Sequence, residues 1–131
     1  MMKSFSAPPE AIILTMPVAF FKDRNMPEDK FADYFERYMR HETATWNFVK
    51  KQLPTQDVAW VYLVWSGKIQ FRLNLVCYER NQSKSFDDSW DGKVRHFPEK
   101  NWIILSGPAV RPPHDIYIKG FQGHRYTEKL F

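Results

Sequence analysis

Two short stretches of this chain set cations among aromatic rings. Trp65, Lys68 and Arg72 fall within "WSGKIQFR", and Lys119, His124 and Arg125 within "KGFQGHR". Cations neutralise phosphates, and flat rings or guanidinium planes stack on unpaired bases. This combination of residue types therefore points to single-stranded nucleic acid or an extruded base. Local charge agrees. Lys68 to Lys84 carries Lys68, Arg72, Arg80 and Lys84 against Glu79, and Gly107 to Phe131 carries Arg111, Lys119, Arg125 and Lys129 against Asp115 and Glu128. Tyr78, Tyr117, Phe121 and Tyr126 lie between them. The whole chain has net charge +4 and a pI near 9.2, which permits an anionic partner without demanding one.

Other chemistries find little support. "HETAT" at His41–Thr45 has the opening of a zinc-protease motif, but the second histidine it needs four residues on is Thr45. His96, His114 and His124 are scattered, and Asp87, Asp88 and Asp91 lack the spacing of a calcium loop. No nucleophile elbow, phosphate loop or dinucleotide fingerprint is present. The sequence thus predicts no catalytic residue, no metal and no cofactor.

The elements that must position the candidates follow from pattern. Residues 1–10 read as a loose leader to a single domain over 1–131. Ala11–Phe21 is rich in strand formers, with Pro17 bending it or holding it at an edge. Pro27, Glu28 and Asp29 suit a helix start, and Phe31, Phe35, Tyr38, Met39, Trp46, Val49 and Leu53 recur at helical steps, which predicts one long helix from Pro27 to about Gln52. Val58–Trp65 and Lys68–Glu79 form a hairpin about Ser66-Gly67, with Trp65 opposite Lys68, Leu63 opposite Gln70 and Val61 opposite Arg72. That register puts Trp60, Tyr62, Phe71 and Leu73 on the core face and Trp65 on the polar face. Ile69, Phe71, Leu73, Leu75 and Cys77 alternate with polar residues, so Cys77 is expected to fill core space. Trp46, Trp60, Phe71 and Ile104 are expected to be buried. Asn81–Gly92 reads as a polar turn-rich segment and "GPAVRPPHD" as another, separated by short strands near Lys93–Phe97 and Asn101–Ser106. Ile116–Lys119 and His124–Leu130 close the list, with Gly120 and Gly123 allowing a tight turn. The expected fold is α+β and mostly antiparallel: a small open β-barrel of five to six strands with one long helix packed against it.

The order of elements and the segments "VAWVYLVWSGKIQFRLNLVCYER", "NWIILSGPAV" and "IKGFQGHRYTE" resemble the PUA-like superfamily, which includes the ASCH and EVE domains. The resemblance covers Val58 to Glu128 and implies a cleft that recognises RNA or a modified base in DNA. The Gly-x-Lys-x-x-Glu-x-Arg string of ASCH domains is replaced here by "FKDRNMPED", so the hydrolase activity of some relatives is not implied. The expected function is a non-catalytic nucleic-acid-binding module acting through Trp65, Lys68, Arg72, Lys119, His124 and Arg125. The alternatives are a small protein-interaction or regulatory protein, such as a phage or mobile-element factor, and a nucleoside-directed hydrolase. One cysteine, and Pro8, Pro9 and Glu10 interrupting any signal-like run, point to the cytoplasm and away from a membrane.

Overall fold

A computed structural model describes residues 8–131; the first seven residues of the expected leader lie outside the described residues. The elements are β1 Ala11–Thr15, α1 Val18–Asp23, α2 Glu28–Tyr38, β2 Thr45–Lys50, β3 Trp60–Trp65, β4 Lys68–Asp87, β5 Val94–Val110 and β6 His124–Thr127. All six strands join one sheet in the order β2-β5-β4-β3-β1-β6.

This corrects the expected architecture. The sheet is mixed, because β1 lies parallel to β3 while the other neighbours are antiparallel. A parallel neighbour requires a crossover, and α1, α2 and β2 supply it. The sheet is not closed into a barrel: β2 and β6 stand at opposite edges. Among the described residues no strand pairing joins the two edges, and Lys50 Nζ of β2 donates to the Gly123 carbonyl just before β6 at 2.9 Å.

Among the described residues there is no long helix. Helix α2 stops at Tyr38, and the chain turns to form β2. The helical stripe from Phe31 to Tyr38 is real, but its continuation through Trp46 and Val49 is a coincidence of spacing. "TWNFVK" is β-branched and aromatic and alternates with period two, so sheet pairing takes it. A close backbone approach fixes this junction. Ala109 N–H donates to Met39 O and Gly107 N–H to Ala44 O. A Cβ on Gly107 would lie 2.3 Å from His41 O and 2.5 Å from Met39 O.

Two layers of apolar side chains follow. Ile12, Leu14, Val61, Leu63, Trp65, Phe71, Leu73, Ile103 and Leu105 face the helices and pack on Phe31 and Phe35. Ala11, Ile13, Tyr62, Val64 and Ile69 face the other way. Interior strand β1 is therefore apolar from Ala11 to Leu14 and buried there on both faces.

The hairpin turn is two residues long, and Trp65 does pair with Lys68. The register then shifts between Leu63 and Val64, so that Leu63 pairs with Phe71 and Tyr62 with Arg72. Gln70 is the extra residue; it is buried and its Nε2 donates to Trp65 O at 2.7 Å. The bulge turns Phe71 and Leu73 onto the face that carries Trp65, and separates them from Ile69. A further shift between Leu75 and Cys77 leaves Cys77 exposed, not in the core. Of the expected core residues, Phe71 and Ile104 are buried, whereas Trp46 and Trp60 are half-buried.

Strands β4 and β5 run on as a long arm through the segment expected to be a polar turn, and β5 also continues through Gly107-Pro108 into Val110. The tip of the arm is tied to the helices. Asp88 accepts from Arg24 Nε at 2.7 Å and from Arg95 Nη1 at 3.0 Å, and Tyr34 hydroxyl bonds Ser89. No helix among the described residues is long and apolar enough to cross a membrane.

Candidate functional site

The structure divides the six residues singled out in the sequence. Trp65 is 3% exposed and packs against Phe31 and Phe71 in the inner core, so it offers no stacking surface. The bulge at Gln70 reassigns the faces, which corrects its expected role. Lys68 lies at the hairpin end beside Asp115, 3.5 Å away, and is partly neutralised. Lys119 is exposed in the segment leading to β6.

His124 and Arg125 are neighbours on β6 and therefore point to opposite faces. His124 pairs with Leu14 on the helix side and meets Tyr126 edge to face at 5.3 Å. Burial first, and then the nearby Lys50 charge, hold its imidazole below the usual pKa. His124 is thus a half-buried residue of the seam between β1 and β6. Because the folded state holds this pKa down, the stability it contributes is present above the unfolded value of about 6.5 and is lost as pH falls through the lower folded value. Between pH 7.5 and 5 the denaturation midpoint should fall more for the native chain than for His124→Gln. Equal pH dependence in the two would contradict this placement.

Arg72 and Arg125 remain, and the fold brings to them residues that sequence proximity did not. On the outer face, Arg72 lies 5.6 Å over the Trp60 ring and 5.4 Å over the Phe131 ring, and donates to the Phe131 carbonyl. Lys129 lies over the same Trp60 ring at 4.8 Å. Arg125 stacks on Phe121 at 4.1 Å. Trp60, Phe121 and Phe131 all pack on the outer apolar layer through Tyr62, Ile13 and their neighbours. Tyr62 hydroxyl helps anchor the final turn, accepting from Leu130 N–H at 2.8 Å. Gly123, with φ at +83°, makes the turn that returns β6 to β1 and so delivers Arg125 to this face.

Among the described residues, Arg72, Lys119, Arg125 and Lys129 form no salt bridge with an Asp or Glu side chain. Other cations are committed: Arg111 to Asp33 and Glu36, Arg24 and Arg95 to Asp88, and Lys84 to Glu79. The outer face therefore combines cations unpaired by any Asp or Glu side chain among the described residues with rings that hold them, and Arg72 among them is bonded to a Phe131 oxygen. Trp60 and Lys129 were missed by sequence reasoning, because they meet only when β3 and the C-terminal segment fold onto one layer.

A second concavity lies on the opposite side, between the helices, β2 and the arm, with a volume of about 620 Å³. Half-buried Phe20, Tyr34, Trp46, Phe86 and Phe97 contribute to its walls. Its arginines, Arg24 and Arg95, are both paired with Asp88. Arg95 also holds the Asp91 carboxyl well below the usual carboxylate range. No three His, Cys, Asp or Glu side chains cluster as metal ligands among the described residues.

Compared with protein-family models, curated proteins and solved structures, the chain matches none.

Proposed function

We propose that this protein is a non-catalytic nucleic-acid-binding module of the cytoplasm, and that the outer face around Trp60 receives a single strand. The observation that carries the reading is the set of cations, Arg72, Arg125 and Lys129, that no Asp or Glu side chain pairs among the described residues and that are held on aromatic rings of one layer. Cations on rings keep their side chains ordered, so less conformational entropy is lost when phosphate arrives. A guanidinium stacked on a ring also presents its second plane for an unpaired base. Arg125 is exposed and stacked in this way on Phe121. The reading keeps the ligand class implied by the PUA-like resemblance and assigns it to the outer face of a mixed sheet. The lone, exposed Cys77 supports a reducing compartment.

The test is fluorescence anisotropy with short labelled single strands of RNA and DNA. Trp60→Ala should weaken binding by about 1–3 kcal/mol, as loss of a stacking platform does. Arg125→Ala should weaken it broadly across sequences, because phosphate contacts carry little sequence information. Trp65→Phe, in the inner core, should bind as the parent does. A chain that binds neither RNA nor DNA at low salt would sink the reading.

A further inference from the structure

The aromatic concavity on the helix side is not used by the outer face, and its geometry specifies a different ligand. All of Thr45, Trp46, Asn47, Phe48 and Val49 line it. These are consecutive residues of β2, an edge strand, so the concavity runs along the free edge of the sheet.

The ladder shows which backbone groups face it. Gly107 N–H donates to Ala44 O, and the β2–β5 register continues without a shift from Thr45–Ser106 to Lys50–Asn101. In an antiparallel pair the residues that bond the neighbour alternate. Ala44, Trp46, Phe48 and Lys50 therefore bond β5, and Thr45, Asn47 and Val49 aim their N–H and C=O groups away from it. Among the described residues, these three have no backbone hydrogen bond outside the sheet. Thr45 and Val49 are exposed.

Both sides of that edge are walled by rings. Trp46 and Phe48 lie on the helix side, where Phe20 and Tyr38 each approach Trp46 to 6.0 Å. Val49 pairs with Trp102, which packs with Phe86 and Phe97 of the arm at 5.5 and 5.3 Å. The arm tip meets the helix side through Asp88, which accepts from Arg24, and Ser89, which bonds Tyr34.

We infer that this cleft takes an extended polypeptide segment, added to the free edge of β2 as a further strand. Unpaired alternate amides are the chemistry that a peptide backbone satisfies and a compact small molecule does not. Three outward residues correspond to an added strand of about five residues, at about 3.3 Å each. Rings on both sides call for apolar side chains on both faces of that strand, a continuous apolar run rather than an alternating one. Asp23 and Asp87 also line the cleft and form no ion pair among the described residues, so lysine or arginine flanking the run complements them.

The probe is a phage-displayed library of randomised short peptides, selected on the full chain. The expected products are apolar runs flanked by lysine or arginine. Synthetic copies of a selected peptide should lose tenfold or more in affinity when alternate amides are N-methylated in one register, and much less in the other. Val49→Pro removes an outward N–H without taking a bond from β5, a position where edge strands tolerate proline. It should weaken binding tenfold or more, and Val49→Ala should do so by much less. No enrichment, or selected peptides indifferent to N-methylation in either register, overturns the inference. Because N-methylation is read on the native chain, the test survives a Val49→Pro variant that does not fold. Selected peptides displaced by a short single strand of RNA would also overturn it, by merging this cleft with the outer face.

Discussion

Truncating Phe71 to alanine is expected to cost about 3–5 kcal/mol, the range for removing a buried phenylalanine. Phe71 is fully buried and meets Phe35 at 5.2 Å and Trp65 at 5.9 Å, so it joins α2 to the hairpin. The Arg111 side chain covers it, with the guanidinium carbon 5.0 Å from the ring centroid, and Arg111 is itself held by Asp33 and Glu36 of α2. Collapse into the cavity would have to move a helix and two strands together, which places the expected cost in the upper half of that range. Folded domains are stable by only about 5–15 kcal/mol, so the loss is a large share of the total. Chemical denaturation measures it directly. A cost under about 1 kcal/mol would mean that the bulge at Gln70 is wrongly placed and that Phe71 faces the outer layer.

The second large effect is expected at Gly107. Alanine there should destabilise the chain by about 3 kcal/mol or more, the upper end of what overpacking costs. The added methyl meets the carbonyl oxygens of His41 and Met39, both backbone atoms that cannot swing aside as a side chain would. Relief requires β5 to withdraw from the α2–β2 junction, at the expense of the bonds from Gly107 to Ala44 and from Ala109 to Met39. Gly120→Ala is the matched control. Its nearest neighbour would be the Thr15 methyl at 3.5 Å, an ordinary contact, so little change in the melting temperature is expected. Equal behaviour of the two variants would contradict the described junction.

How far the sequence reveals all this depends on the kind of signal. The first half of the expected Ala11–Phe21 strand, the Ser66-Gly67 turn and the start of α2 at Pro27 are local, and local chemistry announces them, whereas the second half of that expected strand is helix α1 beyond Pro17. The end of α2 is not local. Trp46 satisfies a helical stripe and a β alternation equally, and pairing with β5 decides between them. The Gln70 bulge is invisible to a period-two count, because one buried side-chain hydrogen bond to Trp65 O sets it. That single residue carried Trp65 from the expected stacking face into the core. The arm was masked by its polarity: Gln82 to Asp87 reads as a turn because most of it stands away from the core, yet it pairs with Val94 to Lys100. At the outer face, Arg72 and Arg125 were legible as cations. Their convergence with Lys129 on Trp60 and Phe121 was not, because it arises from a parallel β1–β3 pair that no hairpin pattern announces.

The central claim, that the outer face binds a single strand through its ring-held cations, is tested most directly by salt dependence. The measurement is the slope of log affinity against log salt for a short single strand, in the native chain and in the Arg72→Ala, Arg125→Ala, Lys129→Ala triple variant. Each phosphate neutralised on a single strand contributes about 0.7 to that slope. The account predicts a slope shallower by about two in the triple variant, with affinity at low salt down by tenfold or more and the denaturation midpoint still that of a folded chain. An unchanged slope in a folded triple variant would place any binding elsewhere and contradict the account.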